Sequence, residues 1–471
     1  MLPAMKTILC TMAALSLLAV TGSPRVDPTS LDSVMRGALA ADRITGAQVG
    51  VAVNGKLVAN AGYGFEDVGT HAPVTPATHF EIGSTTKQFT AAAILQLREA
   101  GKLRLDDPLG KYVPDYPLGK SITIEQLLWQ VSGIPDYLND VPHIERIAIA
   151  NPAGGLDAVL GAIKGRPLYF APGTQWRYSN TNYVLLGAIV DRVSHMPWEE
   201  YVRRNVFTRA GMTQSAFIGD EARLAHMASG YGVDERGNPK RALTIPEGWT
   251  GAAGAIVSTA GDMAKWDDAF FSGKIVDAAD VRLATTAHVL PSGASTGYGF
   301  GWFVDTLDGQ KRIWHGGETL GFDALNEYFP QLGEAEIILT NAANESALPD
   351  AAVFESLHPQ IASAVSHSAS GEDPKVTALA KQWWHRLQTG DIDRSQLTPQ
   401  WAVHYTPQHV EQIKAELAAR GEPLSWIYRG ETGLPDGLTQ YSYRVTFKAA
   451  SVTFGITLAK DGKIAGFSAR S

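Results

Sequence analysis

Gly83-Ser84-Thr85-Thr86-Lys87, followed at once by Gln88-Phe89-Thr90-Ala91-Ala92-Ala93-Ile94-Leu95-Gln96-Leu97, is the stretch on which the reading of this chain turns. The run from Ser84 to Gly101 predicts a helix. A serine and a lysine three apart share one face of its first turn, with Cβ atoms about 5–6 Å apart. A hydroxyl and an amine at that separation can exchange a proton. The helix start adds unpaired N–H groups and a positive dipole end, so a nucleophile, a base and part of an oxyanion site come from one turn. The same residues also read as a helix cap, Ser84, and a solvated helix residue, Lys87. Ser84 to Lys87 is the only S-x-x-K in the chain, and so short a pattern arises by chance.

With 471 residues, 45% hydrophobic and 19% charged, the chain can bury a large core and is expected to hold more than one domain. A net charge of -8 without a dense Lys/Arg run argues against a nucleic-acid partner. A small-molecule or short-peptide substrate suits it better, and the sequence leaves the oligomeric state open. Lys6, the apolar run Thr7 to Val20 and the small residues Thr21, Gly22 and Ser23 predict a secretory signal peptide over residues 1–22, hence export to the periplasm or the medium. The only cysteine, Cys10, lies inside that segment, which excludes a cysteine nucleophile or a zinc-thiolate site in the mature protein. The 12 histidines include no H-E-x-x-H. No metal and no cofactor is expected in the reaction.

Asn54-Gly55 between the β-rich runs Gly46 to Val53 and Lys56 to Gly64 predicts a tight hairpin. Thr123 stands as an N-cap before an apolar run, and Ser132-Gly133-Ile134-Pro135-Asp136 breaks the helix that follows. Residues 140–285 read as mainly helical, with runs at Gly155 to Lys164, Thr181 to Val193, Trp198 to Val206 and Thr259 to Phe271. Strand periodicity returns at Gly299 to Val304, Arg312 to His315, Leu325 to Phe329 and Ala335 to Thr340, and a last helix is expected from Pro349 to Val365. Strands at both ends of this region predict one antiparallel sheet flanked by helices, an α+β class. Residues 366–373 read as a linker. Helical runs at Val376 to Thr389 and Pro407 to Arg420, then four β-rich runs, predict a small α+β domain over 374–471. In element order it resembles the NTF2-like superfamily.

Two further motifs could carry chemistry. Tyr178-Ser179-Asn180 follows the loop Phe170-Ala171-Pro172-Gly173 and offers a phenol and an amide, although Ser179 or Asn180 also reads as a helix cap. Trp314-His315-Gly316-Gly317-Glu318 closes a predicted strand. Its paired glycines would let another backbone approach, as an extended substrate requires; the plainer reading is a turn with a surface histidine.

Taken together, S-x-x-K, Tyr-x-Asn and His-x-Gly in that order resemble the serine β-lactamase and penicillin-binding protein superfamily, in its class C β-lactamase-like branch. Supporting text is Phe80-Glu81-Ile82-Gly83, the segment Ile122 to Asp136, Phe170-x-Pro172-Gly173, Gly211-Met212-Thr213 and Tyr298-Gly299-x-Gly301-Trp302, so the resemblance spans about 30–365. It implies that Ser84 is acylated and that Lys87 takes its proton, helped by Tyr178, which later hands a proton to the leaving group. It implies that Asn180 binds a substrate carbonyl and orients Lys87. The backbone N–H groups of Ser84 and Glu318 would form the oxyanion hole, with His315 and Gly317 on the substrate-binding strand. His315 stands where many β-lactamases carry lysine, as in D-peptidases, D-aminopeptidases and esterase-like members of the family. Trp314-His315-Gly316 also fits a Trp-x-Gly pattern, which leaves two registers one residue apart. The expected function is an exported serine hydrolase acting through an acyl-enzyme on D-amino-acid peptides or small esters. A true β-lactamase, or a non-catalytic ligand-binding or penicillin-sensing protein on the same scaffold, stands beside it.

Overall fold

A computed structural model describes residues 28–470 except 43, 235–237, 343–347, 365–370, 404, 434–436 and 448–450. The expected signal peptide and most of the expected linker lie outside the described residues. Asn54 and Gly55 both take positive φ, 49° and 73°, as the predicted hairpin turn demands. The strands on either side, Gly46–Val53 and Lys56–Asp67, pair antiparallel.

These two strands belong to a seven-stranded antiparallel sheet that joins the two ends of the region. Gly46–Val53 lies directly against Glu334–Thr340, with Val49 opposite Ile338. Beyond it come Phe322–Phe329, Gln310–Thr319 and, at the edge, Phe303–Leu307. Both central strands are buried on both faces, because helices cover each side. Val49, Val51 and Ile338 pack with Leu31 and Met35 of the helix Pro28–Asp42 and with Val353 and Leu357 of the helix Asp350–Leu357. On the other face Ala52, Ile337 and Leu339 meet Phe89, Trp266 and the helical middle region. The helix at 28–42 and the short helix Ile144–Ala150 were not read from the sequence, and the expected last helix is two, Asp350–Leu357 and Pro359–Ala364.

Ser84 does not open the α-helix as expected. Gly83–Thr85 is a turn of 3-10 helix, and the α-helix runs from Thr86 to Glu99. The tighter turn forms because Gly83 takes φ 48° and passes against the strand that ends at Thr319. A Cβ on Gly83 would stand 2.7 Å from Glu318 N, and one on Gly317 would stand 1.9 Å from Ile82 O and 2.9 Å from Ser84 N. The two glycines interlock two segments more than 200 residues apart in sequence. The close backbone that Gly317 admits is therefore the chain's own serine turn.

After residue 373 a second core forms around Trp383, Trp384, Tyr443, Phe454 and Ile456. The helices Pro374–Thr389 and Pro407–Arg420 precede a four-stranded meander from Ser425 to Arg470. This segment meets the first through Arg444 on Glu355 and Arg429 on Asp308.

Gly317→Ala forces a methyl group into a backbone carbonyl that cannot rotate away. It is expected to cost about 1–3 kcal/mol of stability and to reduce Ser84 labelling by a fluorophosphonate. Denaturant melts and labelling of Gly316→Ala, whose added Cβ would find its nearest neighbour at 3.7 Å, supply the control.

Candidate active site

Ser84, Lys87, Tyr178, Asn180, His315, Gly317 and Glu318 come together where the serine turn, the start of the helix Asn180–Ser194 and the end of the strand Gln310–Thr319 meet. Lys87 stands at the centre and is completely buried. Its Nζ lies 2.9 Å from Ser84 Oγ, 2.8 Å from Asn180 Oδ1 and 2.8 Å from the Ala253 carbonyl. Burial lowers its pKa to about 7, against the charge of Asp136, which raises it. A neutral amine here donates to Asn180 Oδ1 and Ala253 O and keeps its lone pair for the Ser84 hydroxyl. The geometry thus offers a base at the only hydroxyl it needs.

Tyr178 stands beside both Ser84 and Lys87. Its hydroxyl is buried and has no hydrogen bond of normal geometry among the described residues. Burial first, and then Tyr298, push the phenol well above its usual pKa, while the neighbouring Ser84 opposes the shift. Tyr178 is consequently protonated at neutral pH, an acid rather than a base. Lys87 Nζ lies 4.9 Å from its ring centre.

Asn180 opens its helix, following the Pro172-Gly173 loop. Both ends of its amide are engaged: Oδ1 accepts from Lys87, while Nδ2 donates to Asp136 at 3.1 Å. Asp136 ends the Ile122 to Asp136 segment, where the sequence alone points to no role for it. It is buried, and it also accepts from the N–H groups of Leu138 and Asn180 and from Asn139. The aspartate fixes the amide so that its oxygen, not its nitrogen, faces the lysine. Only tertiary contact reveals this, although an acidic residue beside Pro135 in a helix-breaking turn was a usable signal.

The strand places His315, and not Trp314, toward Tyr178, with ring centres 6.0 Å apart. Trp314 turns to Asp305, to which its indole N–H donates at 3.0 Å. His315 is buried, its Nε2 lies 3.0 Å from Tyr298 Oη and its Nδ1 2.5 Å from Gly316 O. Burial, with Lys87 close by, lowers its pKa to about 3. In the neutral ring Nδ1–H donates to Gly316 and Nε2 accepts from Tyr298. The edge strand Phe303–Leu307 pairs only with residues 310–314, leaving the edge from His315 to Thr319 open on that side. Ser84 N and Glu318 N stand beside this open edge, on the two sides of the glycine contact. Around it is a cavity of about 670 Å³ lined by Trp176, Tyr178, Phe303, Leu138, Ile144 and Leu320, with Glu145, Glu318, Asp323 and Asp350 as acidic neighbours. Among the described residues, no lysine or arginine lines it.

The structure thus sets a serine hydroxyl, a buried lysine amine and a tyrosine phenol beside an open strand edge on an α+β scaffold. The β-lactamase family model matches residues 31–356. The chain belongs to the β-lactamase family. It is similar to Protein flp of Staphylococcus aureus (strain N315), 30% identical over 329 residues, covering 67% of this chain and 63% of that protein. The chain thus spans less than two thirds of the length of that relative. Among solved structures, a penicillin-binding protein from Bacillus halodurans superposes with TM-score 0.59 at 28% identity, over 71% of this chain and 98% of that one. An octameric penicillin-binding protein homologue from Pyrococcus abyssi superposes with TM-score 0.63 at 24% identity, over 91% and 90%. That overlap extends the shared fold into the residues after 373. No helix among the described residues is long and apolar enough to cross a membrane.

Because Lys87 works as a base only when neutral, kcat/KM for an ester is expected to rise with pH along a limb centred near 7. Removing the charge that holds Lys87 up, by Asp136→Asn, is expected to move that limb to lower pH. A pH profile in which wild type and variant coincide counts against the assignment.

Proposed function

We propose that this protein is an exported serine hydrolase that acts through an acyl-enzyme on Ser84, on D-amino-acid peptides or small esters. The observation that carries the reading is the lysine: buried, near neutral in its preference, and 2.9 Å from the serine hydroxyl. On this reading residues 30–365 form the hydrolase domain, residues 366–373 link it to the α+β domain at 374–471, and residues 1–22 direct export.

Ser84 Oγ attacks the substrate carbonyl as its proton passes to Lys87 Nζ. The N–H groups of Ser84 and Glu318 stabilise the oxyanion, worth about 3–4 kcal/mol for each donor. Tyr178 gives its proton to the leaving nitrogen or oxygen, and the proton that Lys87 took from Ser84 is passed on to the phenolate oxygen, which returns both groups to their starting forms. Water then repeats the sequence on the acyl-enzyme, with Lys87 as base. Asn180 holds Lys87 in line and leaves carbonyl recognition mainly to the open strand from His315 to Thr319. Gly317 keeps that strand close to the nucleophile.

Charge narrows the substrate. A carboxylate next to the scissile bond finds no lysine or arginine among the described residues that line the cavity, and His315 stays neutral. The aromatic walls suit an apolar or uncharged acyl group. A dedicated β-lactamase, which must hold a carboxylate, fits this charge pattern less well.

Ser84→Ala is expected to reduce hydrolysis of a p-nitrophenyl ester by at least about 10⁴-fold, and Tyr178→Phe by about 10²–10⁴-fold. Wild-type rates in Ser84→Ala would falsify the reading. In paired substrates, a D-dipeptide with its C-terminal carboxylate capped as an amide is expected to have kcat/KM about tenfold or more above the free acid. The reverse order, or rapid turnover of nitrocefin, points to the β-lactamase alternative.

A further inference from the structure

On the sheet face away from Ser84, a second cluster of titratable side chains has no part in the hydrolysis. Glu334 and Glu336 lie two apart on the strand Glu334–Thr340, hence on one face. His358 stands in the hinge between the helices Asp350–Leu357 and Pro359–Ala364. One ligand atom from each of the three lies within 4.8 Å of the other two. Glu334 and Glu336 are wholly buried and His358 is 8% exposed.

The bonding among them is incomplete. Glu334 Oε1 lies 2.8 Å from His358 Nε2, but Glu334 Oε2 and both carboxylate oxygens of Glu336 find no donor of normal geometry among the described residues, and Glu336 faces the Glu334 carboxyl, with which it can hydrogen-bond when one of the two is protonated. The surroundings make this worse. Glu327 sits directly across the ladder from Glu336, a like-charge pairing that destabilises a sheet, and Asp350 is buried nearby. Arg312 is already committed to Asp305, Glu327 and Asp350. Unpartnered buried carboxylates cost several kcal/mol each unless a proton or a cation compensates them.

We propose that Glu334, Glu336 and His358 bind a divalent transition-metal ion, with Zn²⁺ the best match. Two carboxylates and an imidazole form a borderline donor set that suits zinc; calcium and magnesium prefer oxygen alone. Zinc bonds of about 2.0–2.2 Å bring tetrahedral ligand atoms to roughly 3.3–3.6 Å from one another. Small rotations of these side chains close the cluster to that size, exchanging the hydrogen bond between His358 and Glu334 for metal bonds. Water completes the shell. The ion clamps the central strand Glu334–Thr340 to the hinge behind the helix that carries Glu355, on which Arg444 of the C-terminal meander rests. It takes no part in the proposed hydrolysis. The competing way to satisfy the cluster is a proton on Glu336, whose pKa burial and the neighbouring Glu327 and Glu334 raise.

The test uses the full chain, stripped with EDTA, desalted and then exposed to ZnCl₂ or MnCl₂. Retained metal is measured by mass spectrometry after gel filtration and stability by thermal melting. Wild type is expected to retain one zinc ion per chain with a Tm several degrees higher. Glu336→Gln and His358→Gln are expected to lose both effects while still reacting with a fluorophosphonate at Ser84. X-ray absorption of zinc-loaded wild type, expected to show one imidazole among oxygen ligands, keeps the test decisive if a variant does not fold. The proposal is overturned by a wild type that retains no ion and shows no Tm response, by variants that keep both effects, or by a shell of several imidazoles. Glu336→Gln melting above a metal-indifferent wild type identifies the proton instead.

Discussion

Everything in the candidate site depends on a contact that tolerates no side chain: the Ile82–Ser84 turn lying flat against Gly317 and Glu318. Gly83 at positive φ and Gly317 facing Ile82 O let the two backbones approach to distances at which a methyl group would overlap a carbonyl. The strand thereby lends the N–H of Glu318 to a site whose other N–H belongs to Ser84. The same contact tightens the helix start into a 3-10 turn and lifts Ser84 clear of the helix it precedes. The nucleophile is presented by packing, and the helix behind it serves to bury Lys87.

Burial divides the proton-transfer work between two groups. The lysine and the tyrosine lose water together, and desolvation disfavours the charged form of each. Lys87 moves down to about 7 and Tyr178 moves up, so at neutral pH both can be uncharged, one able to accept a proton and the other to give one. Asp136 moderates this from behind Asn180 by holding the lysine from falling further. His315, neutral for the same reason, adds no charge to the cavity. The cavity beside Ser84 is lined by aromatic and acidic side chains.

Much of this was legible from particular residues. Asn54-Gly55 announced the hairpin through the positive φ angles such a turn needs. Thr123 and Gln126 form a reciprocal capping box where Thr123 read as the cap. Pro407 to Arg420 appears as a helix with the expected bounds. The Ser84, Tyr178 and His315 motifs meet, and His315 rather than Trp314 faces the tyrosine. Other features left no local trace. The helix Pro28–Asp42 is made by the sheet face it covers, and Asp136 acquires a role only because Asn180, 44 residues later, folds onto it.

By itself the sequence determined those elements that carry local signals, and the inventory of reactive groups. Periodicity, caps and turn residues act over a few neighbours, and the reactive side chains are simply present or absent. The tertiary structure alone decided which groups share a space and how much water each loses. It lowered the Lys87 pKa, raised that of Tyr178 and held the Asn180 amide in one orientation. It also gathered Glu334, Glu336 and His358 behind the sheet. Electrostatics inside a protein depends on distance and desolvation, and both are set by residues hundreds of positions apart that the chain brings together only when it closes its sheet.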